Sequence, residues 1–245
     1  MSNILIIGAT SAIATAFARQ CAANKDRLFV VARNKQRLNM LIDDLQVRGA
    51  QEISSQVLDV TNLDQHAAVI TAAVTFLKVL DVVLIAHGVL PDQSACENDP
   101  QILQHSLQVN GNATINLMIL ATNQLQSQHC GCMLVISSVA GDRGRASNYV
   151  YGAAKATVSV FAAGLRNRLY RENVRVITVK PGFVDTPMTA SFKKGLLWAQ
   201  PEAIARGMHG AIMKHRDVVY LPFFWQPIMW IVRAIPEGLF KRLHL

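Results

Sequence analysis

The sequence predicts an α/β fold: a single Rossmann-type doubly wound parallel sheet of about seven strands with helices on both faces. Three observations carry this expectation. Short apolar runs alternate with longer amphipathic ones along the whole chain. The short runs are continuous in Val, Ile and Leu, as strands buried on both faces require. The first of them ends directly on a glycine that opens a helix of small residues. Such a sheet binds ligands at the carboxyl ends of its strands.

In chain order, strands are expected over 3–7, 27–32, 53–58, 81–86, 132–137, 174–179 and 217–220. Helices are expected over 12–23, 34–48, 62–77, 100–126, 149–171 and 201–214, with a broken one after 227. The run Asn3–Ile7 stops at Gly8, and the helix begins at once after Ser11. Residues 100–141 carry no Asp, Glu, Lys or Arg, yet Gln101, Gln104, Asn110, Asn112, Asn116 and Gln124 interrupt the apolar residues, so this is no membrane span. The helix over 149–171 is rich in small residues (Ala153, Ala154, Ala156, Ala162, Ala163, Gly164). An uncharged helix beside a small-residue helix suits a subunit contact, and a homodimer or homotetramer is expected; two ordinary helices against the sheet are the alternative.

Composition narrows the class. At 245 residues, with 51% hydrophobic and 16% charged, the chain suits one domain without long disordered tracts. Residues 1–221 form that domain and 222–245 an apolar, amphipathic extension. The net charge of +8 favours anionic ligands or surfaces. The basic residues are scattered, without the aromatic interleaving of a single-strand binder, so nucleic acid is not an expected partner. Cys21, Cys96, Cys130 and Cys132 have no metal-ligand spacing and read as reduced thiols, so no metal is expected. The strand at Asn3 leaves no room for a leader, and a cytoplasmic protein is the expectation.

The chemistry lies in ISSVAGDRGRASNYVYGAAK, residues 136–155. Tyr151 and Lys155 are four apart on an expected helix and share one face. A phenol with an ordinary pKa of about 10 needs a fixed cation nearby to exchange its proton nearer neutrality. Ser138 closes a strand and can meet Tyr151 at the carboxyl edge of the sheet; Asn110 lies in LQVNG within the helix over 100–126. Singly, these residues also read as a turn-capping Ser, a backbone-bonded Asn and a surface Tyr–Lys pair.

Gly8 with its loop, LDV at 58–60, Asn110, Ser138, Tyr151, Lys155 and PGFVDTPM at 181–188 stand in an order and spacing that resemble the short-chain dehydrogenase/reductase family over nearly the whole chain. The resemblance implies a carbonyl reductase or alcohol dehydrogenase working by hydride transfer. Tyr151 would be the general acid, Lys155 would lower its pKa and hold the nicotinamide ribose, Ser138 would orient the substrate oxygen, and Asn110 would anchor a water-linked proton relay. The dinucleotide would lie along Gly8, Thr10, Ser11, Ala12 and Ile13, with Asp59 and Val60 at the adenine, Ala86 and Gly88 after the fourth strand, and Pro181, Gly182, Val184 and Thr186 at the nicotinamide. A non-catalytic NADP-binding sensor on the same fold is the alternative from another class.

Two departures from the family pattern stand out. The usual Asn-Ala-Gly is here Ala86-His87-Gly88, and His87 reads either as a packed, loop-bonded residue or as a catalytic one. Ala12 and Ala14 replace two glycines of the phosphate loop, where negative φ suffices and helix-end N–H groups still face a pyrophosphate. NAD-preferring relatives usually carry an Asp where this chain has Ala32; Arg33 follows, suited to a 2′-phosphate, so NADP is the expected cofactor, with Ser11 and Asn34 nearby.

Arg143 and Arg145, with Phe192, Lys193, Lys194 and Trp198 on a candidate lid over 187–200, suggest a cationic, apolar-edged mouth for an anionic lipid-like carbonyl compound. The 136–155 stretch and the basic, aromatic C-terminus resemble the branch of the decaprenylphosphoryl keto-ribose reductase, which implies a lipid-linked keto-sugar; other branches reduce acyl thioesters and other lipid ketones. The uncharged run Val218–Val232 is too short to span a bilayer. Arg233, Glu237 and Lys241 form a polar stripe opposite Ile231, Ile235, Leu239 and Leu243, with Phe223, Phe224, Trp225 and Trp230 suited to a headgroup boundary. The segment therefore reads as a peripheral contact with the inner face of a membrane, or as a flap over the cleft or a subunit interface.

Overall fold

The structure, a computed structural model, describes residues 1–243. Seven strands, β1 (Asn3–Ile7), β2 (Arg27–Ala32), β3 (Glu52–Val57), β4 (Val82–Ile85), β5 (Cys132–Ile136), β6 (Arg175–Pro181) and β7 (Val218–Leu221), form one sheet in the order β3-β2-β1-β4-β5-β6-β7. Every pairing is parallel. The order reverses between β1 and β4, and that switch point places the cleft.

Alternation along the strands splits the core in two. Ile4, Ile6, Leu28 and Val30 pack with α1 (Ala12–Ala23), α2 (Lys35–Val47) and α8 (Pro201–Met213), while Leu5, Ile7, Phe29 and Val31 pack with α3 (His66–Leu77), α6 (Ala113–Ser127) and α7 (Tyr149–Leu169). Both faces of the central strands are thus covered, which explains their lack of polar alternation.

The expected helix over 100–126 is divided into α5 (Pro100–Leu107), a π turn over Gln108–Asn112, and α6. Within that turn lies Asn110, fully buried: its Oδ1 accepts from the Val89 N–H at 3.0 Å and its Nδ2 donates to the Val89 carbonyl at 2.9 Å. A short helix α4 (Gln93–Asn98), absent from the expected elements, is capped by Asp92, whose Oδ1 accepts from the Ala95 N–H at 2.8 Å. The C-terminal part forms α9 (Trp225–Ala234) and α10 (Glu237–Phe240). Among the described residues no helix is long and apolar enough to cross a membrane.

Candidate active site

A cleft of about 1110 Å³ runs along the carboxyl ends of the strands. The β1–α1 turn forms its floor at one end. Gly8 has φ +80°, and a Cβ there would lie 2.5 Å from the His87 nitrogen and 2.8 Å from the Ala86 carbonyl carbon, so only glycine lets β1 close against the chain leaving β4. Ser11 caps α1 by accepting from the Ala14 N–H at 3.4 Å, and the first N–H groups of that helix face the cleft lined by Ala12 and Ile13.

Every expected cofactor-binding residue lines this cleft: Gly8, Thr10, Ser11, Ala12, Ile13, Arg33, Asn34, Asp59, Val60, Ala86, Gly88, Tyr151, Lys155, Pro181, Gly182, Val184 and Thr186. Asn34 is occupied as the cap of α2, accepting from the Arg37 N–H at 2.9 Å. The Asp59 carboxylate is occupied by Thr61, accepting from its N–H at 3.0 Å and its hydroxyl at 2.8 Å; these bonds hold it below the usual carboxylate range. Val60 is set by His66, whose Nε2 donates to its carbonyl at 2.9 Å, while His66 Nδ1 lies 2.9 Å from Asn116 Nδ2.

Of the four expected catalytic residues, Ser138, Tyr151 and Lys155 meet in the cleft. Ser138 follows β5 and opens a 3-10 turn, its Oγ accepting from the Ala140 N–H at 3.1 Å. Burial pushes the Tyr151 phenol up to about 12, against a hydrogen bond from Ser138 that acts the other way. Burial pushes the Lys155 ammonium down to about 8; the group is 2% exposed and donates to the Ile136 carbonyl at 2.9 Å. Asn110 does not line the cleft. It lies behind Gly88, where a Cβ would come 2.9 Å from Asn110 Oδ1 and 3.7 Å from Lys155 Nζ. Its side chain is committed to the Val89 backbone, so it holds the loop that carries Gly88.

His87 also borders the cleft. Its Nε2 is 3.0 Å from Thr114 Oγ1, and burial together with the nearby Lys155 cation pushes it down to about 3. Its other ring nitrogen, Nδ1, is buried without a hydrogen-bond partner among the described residues.

The cationic mouth needs a correction. Arg143 does not face the cleft: its Nη1 donates to the Val232 carbonyl at 2.5 Å and the Ile235 carbonyl at 2.6 Å, its Nη2 pairs with Glu237 at 3.0 Å, and its guanidinium lies 3.6 Å from the centroid of the Phe240 ring. The last carbonyls of α9 lack helical partners, and a guanidinium is well suited to cap them. Lys194 is likewise paired, with Asp185 at 2.7 Å, and Trp198 stacks on Phe183 at 5.5 Å. Arg145 and Phe192 remain on the cleft wall.

Three supports were not singled out from the sequence. Arg37 lines the cleft beside Arg33, held by an Nη2 bond to the Thr10 carbonyl at 3.3 Å; its i+4 relation to Arg33 across the α2 cap was the available signal. Gln93 of α4 accepts from the Val150 N–H at 3.2 Å and so fixes the first turn of the helix bearing Tyr151. Asp142 pairs with Lys180 at 2.5 Å and accepts from the Tyr220 hydroxyl at 2.7 Å, tying the loop after Ser138 to β6 and β7.

The sequence model of the family described as short chain dehydrogenase matches residues 2–196. The chain is 32% identical over 242 residues to an uncharacterized oxidoreductase of Streptomyces coelicolor, covering 98% of this chain and 95% of that protein. It is 29% identical over 240 residues to an uncharacterized oxidoreductase of Mycobacterium tuberculosis, covering 98% and 96%. Among solved structures, a variant of actinorhodin polyketide ketoreductase with NADPH superposes with a TM-score of 0.80 at 20% identity, over 90% of this chain and 95% of that one. Levodione reductase gives the same TM-score of 0.80 at 20% identity, again over 90% and 95%.

Proposed function

The chain belongs to the short-chain dehydrogenase family, and on that premise we propose that this oxidoreductase is an NADPH-dependent carbonyl reductase whose substrate is an anionic, lipid-like ketone such as a lipid-linked keto-sugar. The observation that carries the reading is the meeting of Ser138, Tyr151 and Lys155 in one cleft at the strand switch point. The glycine turn at Gly8 and the open start of α1 fit a pyrophosphate, and Arg33 with Arg37 fits a 2′-phosphate. Bound there, a nicotinamide cofactor supplies the hydride that the carbonyl carbon receives.

The protein's own side chains do the rest. Ser138 donates to the carbonyl oxygen and sets its direction. Tyr151, held in its protonated form by burial, passes its phenolic proton to that oxygen. Lys155 offsets the negative charge left on the phenolate and holds the ribose. Asn110 positions the Gly88 loop and, through it, the end of the proton relay. Arg145, with Met188 and Phe192 on the wall, favours an anionic substrate with an apolar portion.

The exposed sides of α6 and α7 offer a surface for the expected subunit contact. Ile115, Ile119 and Phe161 line a groove of about 380 Å³, and Val160 is 74% exposed beside it in sequence.

The test of the function is NADPH oxidation over a panel of carbonyl compounds, anionic and neutral. Tyr151→Phe is expected to lose about 10²–10⁴-fold in turnover with NADPH affinity retained. Cofactor binding with no turnover that depends on Tyr151, on any substrate class, would favour the sensor.

A further inference from the structure

We propose that α9 and α10 form a docking face for an anionic lipid bilayer, placed beside the mouth of the cleft. One side of this segment is built into the protein: Trp225, Met229 and Phe240 are buried, and Trp225 and Met229 pack with Val139 of the catalytic loop and Tyr220 of β7. The other side inverts the usual pattern of a surface helix. Phe223 is 81% exposed, Trp230 61%, Ile231 67%, Leu239 57% and Leu243 47%. Five large apolar side chains are thus exposed within 21 residues of chain, a density that suits an interaction surface better than single scattered exposures do.

Charge decides what the face meets. Arg233, Lys241 and Arg242 are exposed on the same segment, and no Asp or Glu occurs between Val218 and Pro236. The carboxylate of Glu237 is taken by Arg143. A second copy of this face would bring three exposed cations against the single carboxylate of Glu237, itself already paired with Arg143, which disfavours a two-fold contact. Aromatic rings flanked by Arg and Lys match the boundary of an anionic leaflet, where rings sit at headgroup depth and cations meet phosphate.

The face is joined to the cleft. Trp225 packs edge-on against Phe183, a cleft residue, at 5.4 Å, and Phe183 stacks on Trp198 of the lid. The lid adds Leu196 at 102% exposure and exposed Phe192 and Lys193, again without a carboxylate from Thr186 to Gln200. A docked molecule would open its cleft next to the bilayer surface. Docking itself is independent of the reductase reading; only what the docked cleft takes up rests on that reading.

Removing residues after Leu221 would strip Trp225, Met229 and Phe240 from the core, so the test uses outward positions in the full chain. Wild type, Trp230→Ser/Ile231→Ser and Phe223→Ser/Leu239→Ser are sedimented with phosphatidylglycerol vesicles and with phosphatidylcholine vesicles, at low and high salt, with thermal melts of each. Wild type is expected to sediment with the anionic vesicles at low salt, and each folded double variant to lose most of that binding. Arg233→Glu/Lys241→Glu should lose the salt-sensitive part. Reduction of a small water-soluble ketone, measured alongside, is expected to be unchanged in the variants, so a failure of docking and a failure of the reductase reading are told apart. Absence of vesicle binding, equal binding by wild type and both apolar variants, or a change of particle mass in light scattering in place of vesicle binding would overturn the proposal.

Discussion

Lys155 Nζ lies 5.6 Å from the centroid of the Tyr151 ring and donates to the Ile136 carbonyl at 2.9 Å. The cation is therefore anchored to the end of β5, while the Tyr151 phenol answers first to its own burial. The two groups share a helix face, as a four-residue spacing dictates, which keeps the ammonium within reach of the charge that a phenolate would carry.

Burying Lys155 costs stability, and the cost has a pH signature. Its folded pKa of about 8 lies below the ordinary value of 10.5 that holds in the unfolded chain. Below about pH 8 both states hold the proton and the folded state carries the full penalty. Between the two values the unfolded chain binds more protons, so stability rises with pH. Lys155→Met is expected to raise the unfolding free energy at neutral pH by about 3 kcal/mol, less the lost bond to Ile136, with the gain vanishing above about pH 10. Urea unfolding across this range checks it; a variant less stable than wild type at pH 7 would show that the ammonium holds the site together.

Activity should follow the same group. Reduction needs Tyr151 protonated, which burial ensures well past neutrality, and Lys155 charged, which fails first. The kcat/KM for reduction is expected to hold from about pH 6 to 7.5 and to fall through about pH 8, because this parameter reports the free enzyme. A flat profile to pH 10 would remove Lys155 from the reacting centre.

Much of this was legible in the sequence. Continuous apolar strands and the glycine at position 8 were enough for the sheet and the place of its cleft, because burial on both faces and a positive φ leave few other residues acceptable. Less legible were partnerships set by distant chain. Nothing local shows that Asn110 bonds Val89, or that Arg143 faces α9 rather than the cleft, since both bonds span separations settled only by the fold. Likewise, Ala162 belongs to the small-residue run of α7 yet is fully buried, so the face available to a neighbour lies along Ala153, Thr157, Val160 and Gly164.

The subunit contact proposed for that face is testable without touching the monomer core. Val160→Arg places a cation on the exposed side of α7, next in sequence to Phe161 of the groove. Light scattering is expected to move from a dimer or tetramer to monomer with an unchanged thermal melt. A wild type that is already monomeric at micromolar concentration would end the subunit reading.

Cofactor choice should rest on two guanidiniums rather than one. Arg33 is exposed at the end of β2, and Arg37 is anchored to the Thr10 carbonyl, both on the cleft wall. Arg33→Asp is expected to weaken NADPH binding at least about tenfold while changing NADH binding little, and Arg37→Ala to add to that loss. A charge-assisted bond to phosphate is worth about 1.5–3 kcal/mol, which is the basis of the magnitude. Unchanged NADPH affinity in the double variant would reverse the assignment.

Acid should unfold the protein through its histidines. His66 uses Nε2 as donor to Val60 and offers Nδ1 to Asn116, which only a neutral ring can do, and burial holds its pKa below the ordinary value. His87 is pushed down to about 3. Both groups have folded pKa values below those of the unfolded chain, so the unfolded state binds protons that the folded state refuses. Their contribution is fully present above about pH 6.5 and is lost as pH falls towards about 3. Each refused proton gives a slope of up to about 1.4 kcal/mol per pH unit. Replacing His87 with Asn should flatten the fall in unfolding free energy between about pH 6.5 and 4. Asp26, whose carboxyl burial pushes up, titrates in wild type and variant alike and cancels in the difference. Urea midpoints measured for both proteins over this range decide the matter: parallel curves would mean that His87 takes up its proton in the folded protein, and that its neutral bond to Thr114 is not what keeps the β4 end in place.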